Sequence, residues 1–136
     1  MSHILLIEDN QQNADMAIHI LETAGYTVKH FLRGIEGAGN ARKDRPALIL
    51  LDFDLPDIDG RTLILSLRRQ LTGPNAPPIV AVTARTGHME MAIAERFGCS
   101  AFISKPYTPD HLLEVIRKLL PEYAPVPRSN PAASHR

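Results

Sequence analysis

Four short apolar runs, each closed by a polar or charged side chain, constrain this chain more than any other feature. They are Ile4 to Ile7 before Glu8-Asp9, Ala47 to Leu51 before Asp52, Ile79 to Val82 before Thr83, and Ala101 to Ile103 before Ser104-Lys105-Pro106. A strand wetted on one side alternates apolar and polar residues, whereas an unbroken apolar run suits a strand covered on both faces. Such strands belong to a parallel sheet with helices above and below it. Tyr26 to Phe31 is a fifth and more polar run, expected at an edge.

Helical patterns fill the intervals. Ala14, Ala17, Ile18 and Leu21 repeat at helical spacing, and Gly25 is placed to end that helix. Leu63, Ile64, Leu67 and Leu71 form a second stripe, stopped by Gly73-Pro74. Leu112, Leu113, Ile116, Leu119 and Leu120 form a third, with Thr108 as cap, Pro109 at the first helical position and Pro121 beyond the end. Residues 34–44 and 87–97 read as weaker helices. The first carries Gly34, Gly37 and Gly39, each costing about 1 kcal/mol against alanine inside a helix. Five strands alternating with five helices predict a doubly wound α/β fold. Right-handed crossovers favour the flavodoxin-like strand order 2-1-3-4-5.

A chain of 136 residues with 44% hydrophobic side chains can support one packed domain, expected over residues 1–121. Residues 122–136 hold three prolines directly after Pro121 and almost no apolar periodicity, and read as a tail or the start of a linker. Fifteen basic residues balance fifteen acidic ones, so there is no cationic surplus to neutralise nucleic-acid phosphates. No run approaches the ~18 apolar residues of a membrane helix, and acids by position 8 argue against a secretory leader. One cysteine, Cys99, cannot form an internal disulfide. A cytoplasmic domain that binds neither membrane nor nucleic acid is the expectation.

In an open parallel sheet, ligands bind beyond the carboxyl ends of the strands, at the point where strand order reverses. The residues that close the apolar runs would meet there: Glu8, Asp9, Asp52, Thr83 and Lys105. Three carboxylates so close either keep a proton or share a cation. Oxygen ligands without histidine or cysteine suit a hard ion such as Mg²⁺. Three carboxylates with one ammonium carry a charge of −2. Mg²⁺ would neutralise it and admit an anionic phosphoryl group. Asp52 is then the candidate nucleophile, Lys105 and the ion stabilise the transferring oxygens, and Thr83 offers a hydroxyl.

These residues resemble the receiver domains of two-component response regulators, and in length the chain is similar to their stand-alone, CheY-like type. The matching features are Glu8-Asp9, the segment Leu50-Leu51-Asp52-Phe53-Asp54-Leu55-Pro56 with Gly60, Thr83-Ala84, and Phe102-Ile103-Ser104-Lys105-Pro106. They cover residues 3 to about 120 in the family's order. Each is weak alone, but all four at these separations are specific. The resemblance implies that Asp52 accepts a phosphoryl group from a histidine kinase or phosphotransfer protein. It implies Mg²⁺ held by Glu8, Asp9, Asp52 and the backbone carbonyl of Asp54. Thr83 and Phe102 would act as switch residues, Lys105 would pair with a phosphoryl oxygen, and Pro106 would follow a cis peptide bond. Partners would read the fourth helix, fifth strand and fifth helix, with the domain a monomer or a weak phosphorylation-dependent dimer. It would be a switch that promotes its own phosphorylation and slow dephosphorylation, not a turnover enzyme.

Two departures stand out. Glu8 occupies a position where aspartate is commoner, and Phe102 has no hydroxyl. Asp54 and Arg85, two residues after the acceptor and two after the switch threonine, are expected to pair across the site mouth and restrict attacking water.

Other readings use the same residues. The run LILLDFD also fits a haloacid-dehalogenase-type phosphatase, with Asp52 as nucleophile and Asp54 as general acid, but that family places its acidic pair late in the chain. A flavodoxin would need a hydroxyl- and glycine-rich loop after strand 1, where this chain has Glu8-Asp9-Asn10-Gln11-Gln12. An unphosphorylated pseudo-receiver that serves only as a binding module is the third alternative.

Overall fold

The computed structural model describes residues 2–84 and 88–121. Strands β1 (Ile4–Ile7), β2 (Val28–Phe31), β3 (Leu48–Asp52), β4 (Ile79–Thr83) and β5 (Ala101–Ser104) alternate with helices α1 (Gln11–Thr23), α2 (Gly34–Lys43), α3 (Gly60–Gln70), α4 (His88–Phe97) and α5 (Pro109–Leu119). All the strand pairings are parallel, in the order β2-β1-β3-β4-β5. The doubly wound fold and its strand order are therefore as the sequence predicts.

The apolar runs behave as expected of strands buried on both faces. Every residue of β1, β3 and β4 is buried. Alternate side chains feed two cores. Leu5, Ile7, Ile49, Leu51, Ile79 and Ala81 pack with α2, α3 and α4, while Ile4, Leu6, Leu48, Leu50, Val80 and Val82 pack with α1 and α5. The polar strand β2 takes the edge. It is shorter than the run Tyr26 to Phe31, because Tyr26 belongs to the end of α1. There Gly25 adopts φ +102° and donates to the Glu22 carbonyl, and Tyr26 N–H donates to the Leu21 carbonyl. This pair of bonds closes the helix in a Schellman turn, with Tyr26 buried beneath it. Thr108 caps α5 by accepting from His111 N–H at 3.1 Å, and Pro109 opens the helix.

Two further ties hold the amino end of the sheet. Arg68 on α3 donates to the carbonyls of Gly98 (2.8 Å) and Pro77 (2.6 Å) and to Ser100 Oγ (3.3 Å). It thus staples the residues entering β4 to those entering β5. Lys29 on β2 pairs with Asp44 after α2, with buried His3 at 3.9 Å from the same carboxylate.

The glycines of α2 have a packing explanation that spacing alone does not supply. A Cβ on Gly37 would lie 2.6 Å from Ile7 Cδ1, and one on Gly34 would lie 2.5 Å from Ile58 Cγ2. The helix therefore approaches β1 and the β3–α3 loop closely only because these positions lack side chains. At Gly39 the nearest atom is an arginine nitrogen at 3.7 Å. Gly39→Ala should accordingly stabilise the protein by about 0.5–1 kcal/mol, and Gly37→Ala should destabilise it by about 1–3 kcal/mol. Urea unfolding measures both, and the opposite signs are the test.

Candidate functional site

The parallel register brings the strand ends level. Ile7 lies opposite Leu51, Asp52 opposite Val82, and Thr83 opposite Ser104. Glu8, Asp52, Thr83 and Lys105 consequently emerge along one edge of the sheet, at the switch point between β1 and β3. Glu8 and Asp52 are each 6% exposed and Thr83 is fully buried, while Asp9 is exposed to solvent.

Glu8, Asp9 and Asp52 each offer a carboxylate oxygen within 4.8 Å of the others. Lys105 Nζ stands 3.2 Å from Glu8 Oε1 and 3.5 Å from Asp52 Oδ2. Backbone donors hold the remaining oxygens. Asn10 N–H donates to Glu8 Oε2 at 3.1 Å, and Asp54 N–H donates to Asp52 Oδ1 at 2.9 Å. Asn10 also caps α1 through Asn13 N–H. The loop that positions Glu8 is therefore the loop that starts the helix.

The electrostatics follow from this crowding. At an effective dielectric near 20, two like charges at this separation repel by about 3–4 kcal/mol. The Lys105 ammonium offsets much of this repulsion, but three ionised carboxylates beside it still leave the site with a formal charge of −2. Burial pushes the Glu8 carboxyl up to about 7, and the Asp52 charge beside it adds to the rise against the opposing pull of Asn10 N–H and Lys105. Burial acts against the Lys105 charge, but the carboxylates of Asp52 and Glu8 outweigh it and hold its pKa above the usual lysine value. Both answers to carboxylate crowding are thus built in: Glu8 can keep a proton, or Glu8, Asp9 and Asp52 together, all oxygen donors, fit a hard cation such as Mg²⁺.

The other expected residues fall as follows. Phe102 is half-buried, its ring tilted 56° against Phe53 with centroids 5.7 Å apart. The Lys105–Pro106 bond is cis. Asp54 accepts a hydrogen bond from Thr83 Oγ1 at 3.1 Å, a contact that strand spacing does not foretell. Arg85, expected to pair with Asp54, lies outside the described residues, as do residues 122–136. Asp59 caps α3 by accepting from Thr62 N–H at 3.4 Å. Asp57, in the loop between β3 and α3, reaches across to α2. Its two oxygens accept from Gly34 and Ile35 N–H, each at 3.0 Å. One sequence signal pointed to it: Arg33 stands at the N-cap of α2, where it cannot accept a backbone hydrogen bond.

Comparison with known proteins agrees with this geometry. A family model described as "Response regulator receiver domain" matches residues 4–117. The transcriptional regulatory protein CreB of Escherichia coli is 33% identical over 118 residues, which are 86% of this chain and 50% of CreB. The polar-differentiation response regulator DivK of Brucella anthropi is 31% identical over 117 residues, 86% of this chain and 94% of DivK. The chain thus spans half of CreB's length but nearly all of DivK's. Among solved structures, the receiver domain of a sensor histidine kinase from Pseudomonas aeruginosa, with a magnesium ion in its active-site cleft, superposes with a TM-score of 0.79 at 28% identity. The match covers 88% of this chain and 98% of that one. Among the described residues, no helix is long and apolar enough to cross a membrane.

The raised Glu8 value has a measurable consequence in metal-free protein. An acid whose folded pKa lies above its unfolded value of about 4.5 favours folding at low pH. That contribution fades as pH rises through about 7. Glu8→Gln removes it, so in EDTA its melting temperature should gain on the wild type between pH 4.5 and 8. A difference in melting temperature that does not change with pH would contradict the assignment.

Proposed function

The chain belongs to the response regulator receiver domain family of two-component signalling, and on that premise we propose that it works as a phosphorylation-dependent switch with Asp52 as acceptor. The observation that carries this reading is the meeting of Glu8, Asp9, Asp52 and Lys105 at one end of the sheet, with Thr83 on the adjoining strand. Neither a structural role nor a plain binding surface calls for three acids around one lysine.

The phosphodonor is a histidine kinase or a phosphotransfer protein. An Asp52 carboxylate oxygen attacks phosphorus, forming an acyl phosphate as the bond to the donor nitrogen breaks. Asp54 N–H and Lys105 aim and steady the Asp52 carboxylate. Lys105 then follows the charge onto the phosphoryl oxygens. Glu8, Asp9, Asp52 and the Asp54 carbonyl would hold Mg²⁺, which when bound would supply the charge neutralisation that lets one anion approach another.

The switch step falls to Thr83 and Phe102. In the resting arrangement the Thr83 hydroxyl is engaged by Asp54. A phosphoryl group on Asp52 offers it stronger acceptors, so Thr83 exchanges one partner for the other and the packing of Phe102 on Phe53 responds. A downstream protein reads the change on α4, β5 and α5. The chain acts in the cytoplasm, as a monomer or a weak phosphorylation-dependent dimer, and regulates without being a turnover enzyme.

The first experiment is incubation with acetyl phosphate and Mg²⁺, followed by intact-mass measurement. The wild type should gain one phosphoryl group, and the gain should vanish with Asp52→Asn or with EDTA. A folded protein that binds Mg²⁺ but stays unmodified would instead be a binding module that resembles a receiver. Thr83→Ala should still accept the group, while the change in Phe102 ring resonances that accompanies phosphorylation in the wild type is lost.

A further inference from the structure

The loop between β3 and α3 carries Asp54, whose carbonyl is one of the metal donors in the reading above. That loop is tied down at several points. Asp54 N–H donates to Asp52 Oδ1, Thr83 donates to the Asp54 carboxylate, and Asp59 caps α3. One tie differs in kind, because it runs to an element with no part in the chemistry. Asp57 sets both carboxylate oxygens on the first two amides of α2, 22 and 23 residues earlier in the chain.

Three observations make this more than a stray loop contact. First, α2 has no cap of its own, since Arg33 at the N-cap makes no side-chain hydrogen bond to the helix. The orphan amides of that first turn need an acceptor, and the neighbouring loop supplies it. Second, the seam is tight. Gly34 has Ile58, Leu55 and Leu63 so close that a Cβ would stand 2.5–3.1 Å from their side chains. The loop cannot slide along α2 without breaking this fit. Third, Asp57 shares one shallow cleft with Asp9, Leu32, Arg33 and Pro56, so the tie sits at the flank of the acidic cluster. Asp57 is not itself a member of that cluster.

We infer that Asp57 is a positioning residue for the metal site: by clamping the β3–α3 loop to the amino end of α2, it holds the Asp54 backbone where it can serve Asp52 and the ion. The inference rests on the receiver reading for its metal, but the clamp itself is a property of the metal-free protein. Coupling is reciprocal, so occupation of the site must in turn tighten the clamp on α2.

Substitution separates the clamp from its two simpler equivalents, a helix cap and a nearby negative charge. Asp57→Ala removes all three. Arg33→Ser/Asp57→Ala restores the net charge of the wild type and gives α2 a serine at an N-cap whose backbone is already extended, yet it leaves the loop untied. Isothermal titration with Mg²⁺ should show affinity weakened about tenfold in Asp57→Ala, as for other residues that support metal ligands. The double variant should remain weakened although its thermal stability recovers. Unchanged affinity in Asp57→Ala, or recovery of affinity in the double variant, overturns the inference. Amide hydrogen exchange in EDTA provides a metal-free arm. Exchange at Asp54 N–H should quicken in both variants, and an unchanged rate also overturns the inference. If Asp57→Ala does not fold, Asp57→Asn keeps one acceptor oxygen and should show the same changes at smaller size. Wild-type protein that takes up no Mg²⁺ would count against the metal reading alone, with the exchange arm still judging the clamp.

Discussion

Repulsion among the carboxylates at the end of β1 and β3 is the constraint around which the rest of the structure is organised. Glu8, Asp9 and Asp52 would not stay together on a flexible chain. They are held by a sheet whose inner strands are buried on both faces and cannot shift register without moving apolar side chains into the wrong core. Lys105 relieves part of the repulsion from the far side, and backbone amides of Asn10 and Asp54 relieve more. What remains is an unsatisfied demand for positive charge or a proton. The packing energy of two cores therefore maintains an electrostatic tension at one edge, and ligand binding can draw on it.

The same division explains what could be read from the residues alone. The strands and their order were legible because an apolar run buried on both faces admits few alternatives, and because the first polar residue after it marks the ligand-binding end. Glu8, Asp9, Asp52, Thr83 and Lys105 could be named for that reason. Contacts made by loops were not legible in the same way. Thr83 to Asp54 and Asp57 to α2 depend on the path of the β3–α3 loop in space, which no periodicity records. The run from Tyr26 starts two residues before β2, because the aromatic ring of Tyr26 is buried next to the strand while its backbone closes α1. The glycines of α2 looked like defects in a helix. They are where the helix meets the sheet and the loop.

Arg68 gives the molecule a mechanical property as well as a bonded one. Its guanidinium fixes Gly98, the residue directly after α4, together with the strand entries at Pro77 and Ser100. One end of α4 is thereby pinned to α3, at the end of the sheet away from the acidic cluster. A ten-residue helix is about 15 Å long. A helix pinned at one end is a lever, and a tilt of about 5° about that pin carries the other end through roughly 1 Å over such a length. Any tilt about that pin would displace the amino end of α4 most and the residues beside Gly98 least. A partner that grips this helix near its amino end would feel a large stroke for little force, and one that grips it near Gly98 would feel almost none.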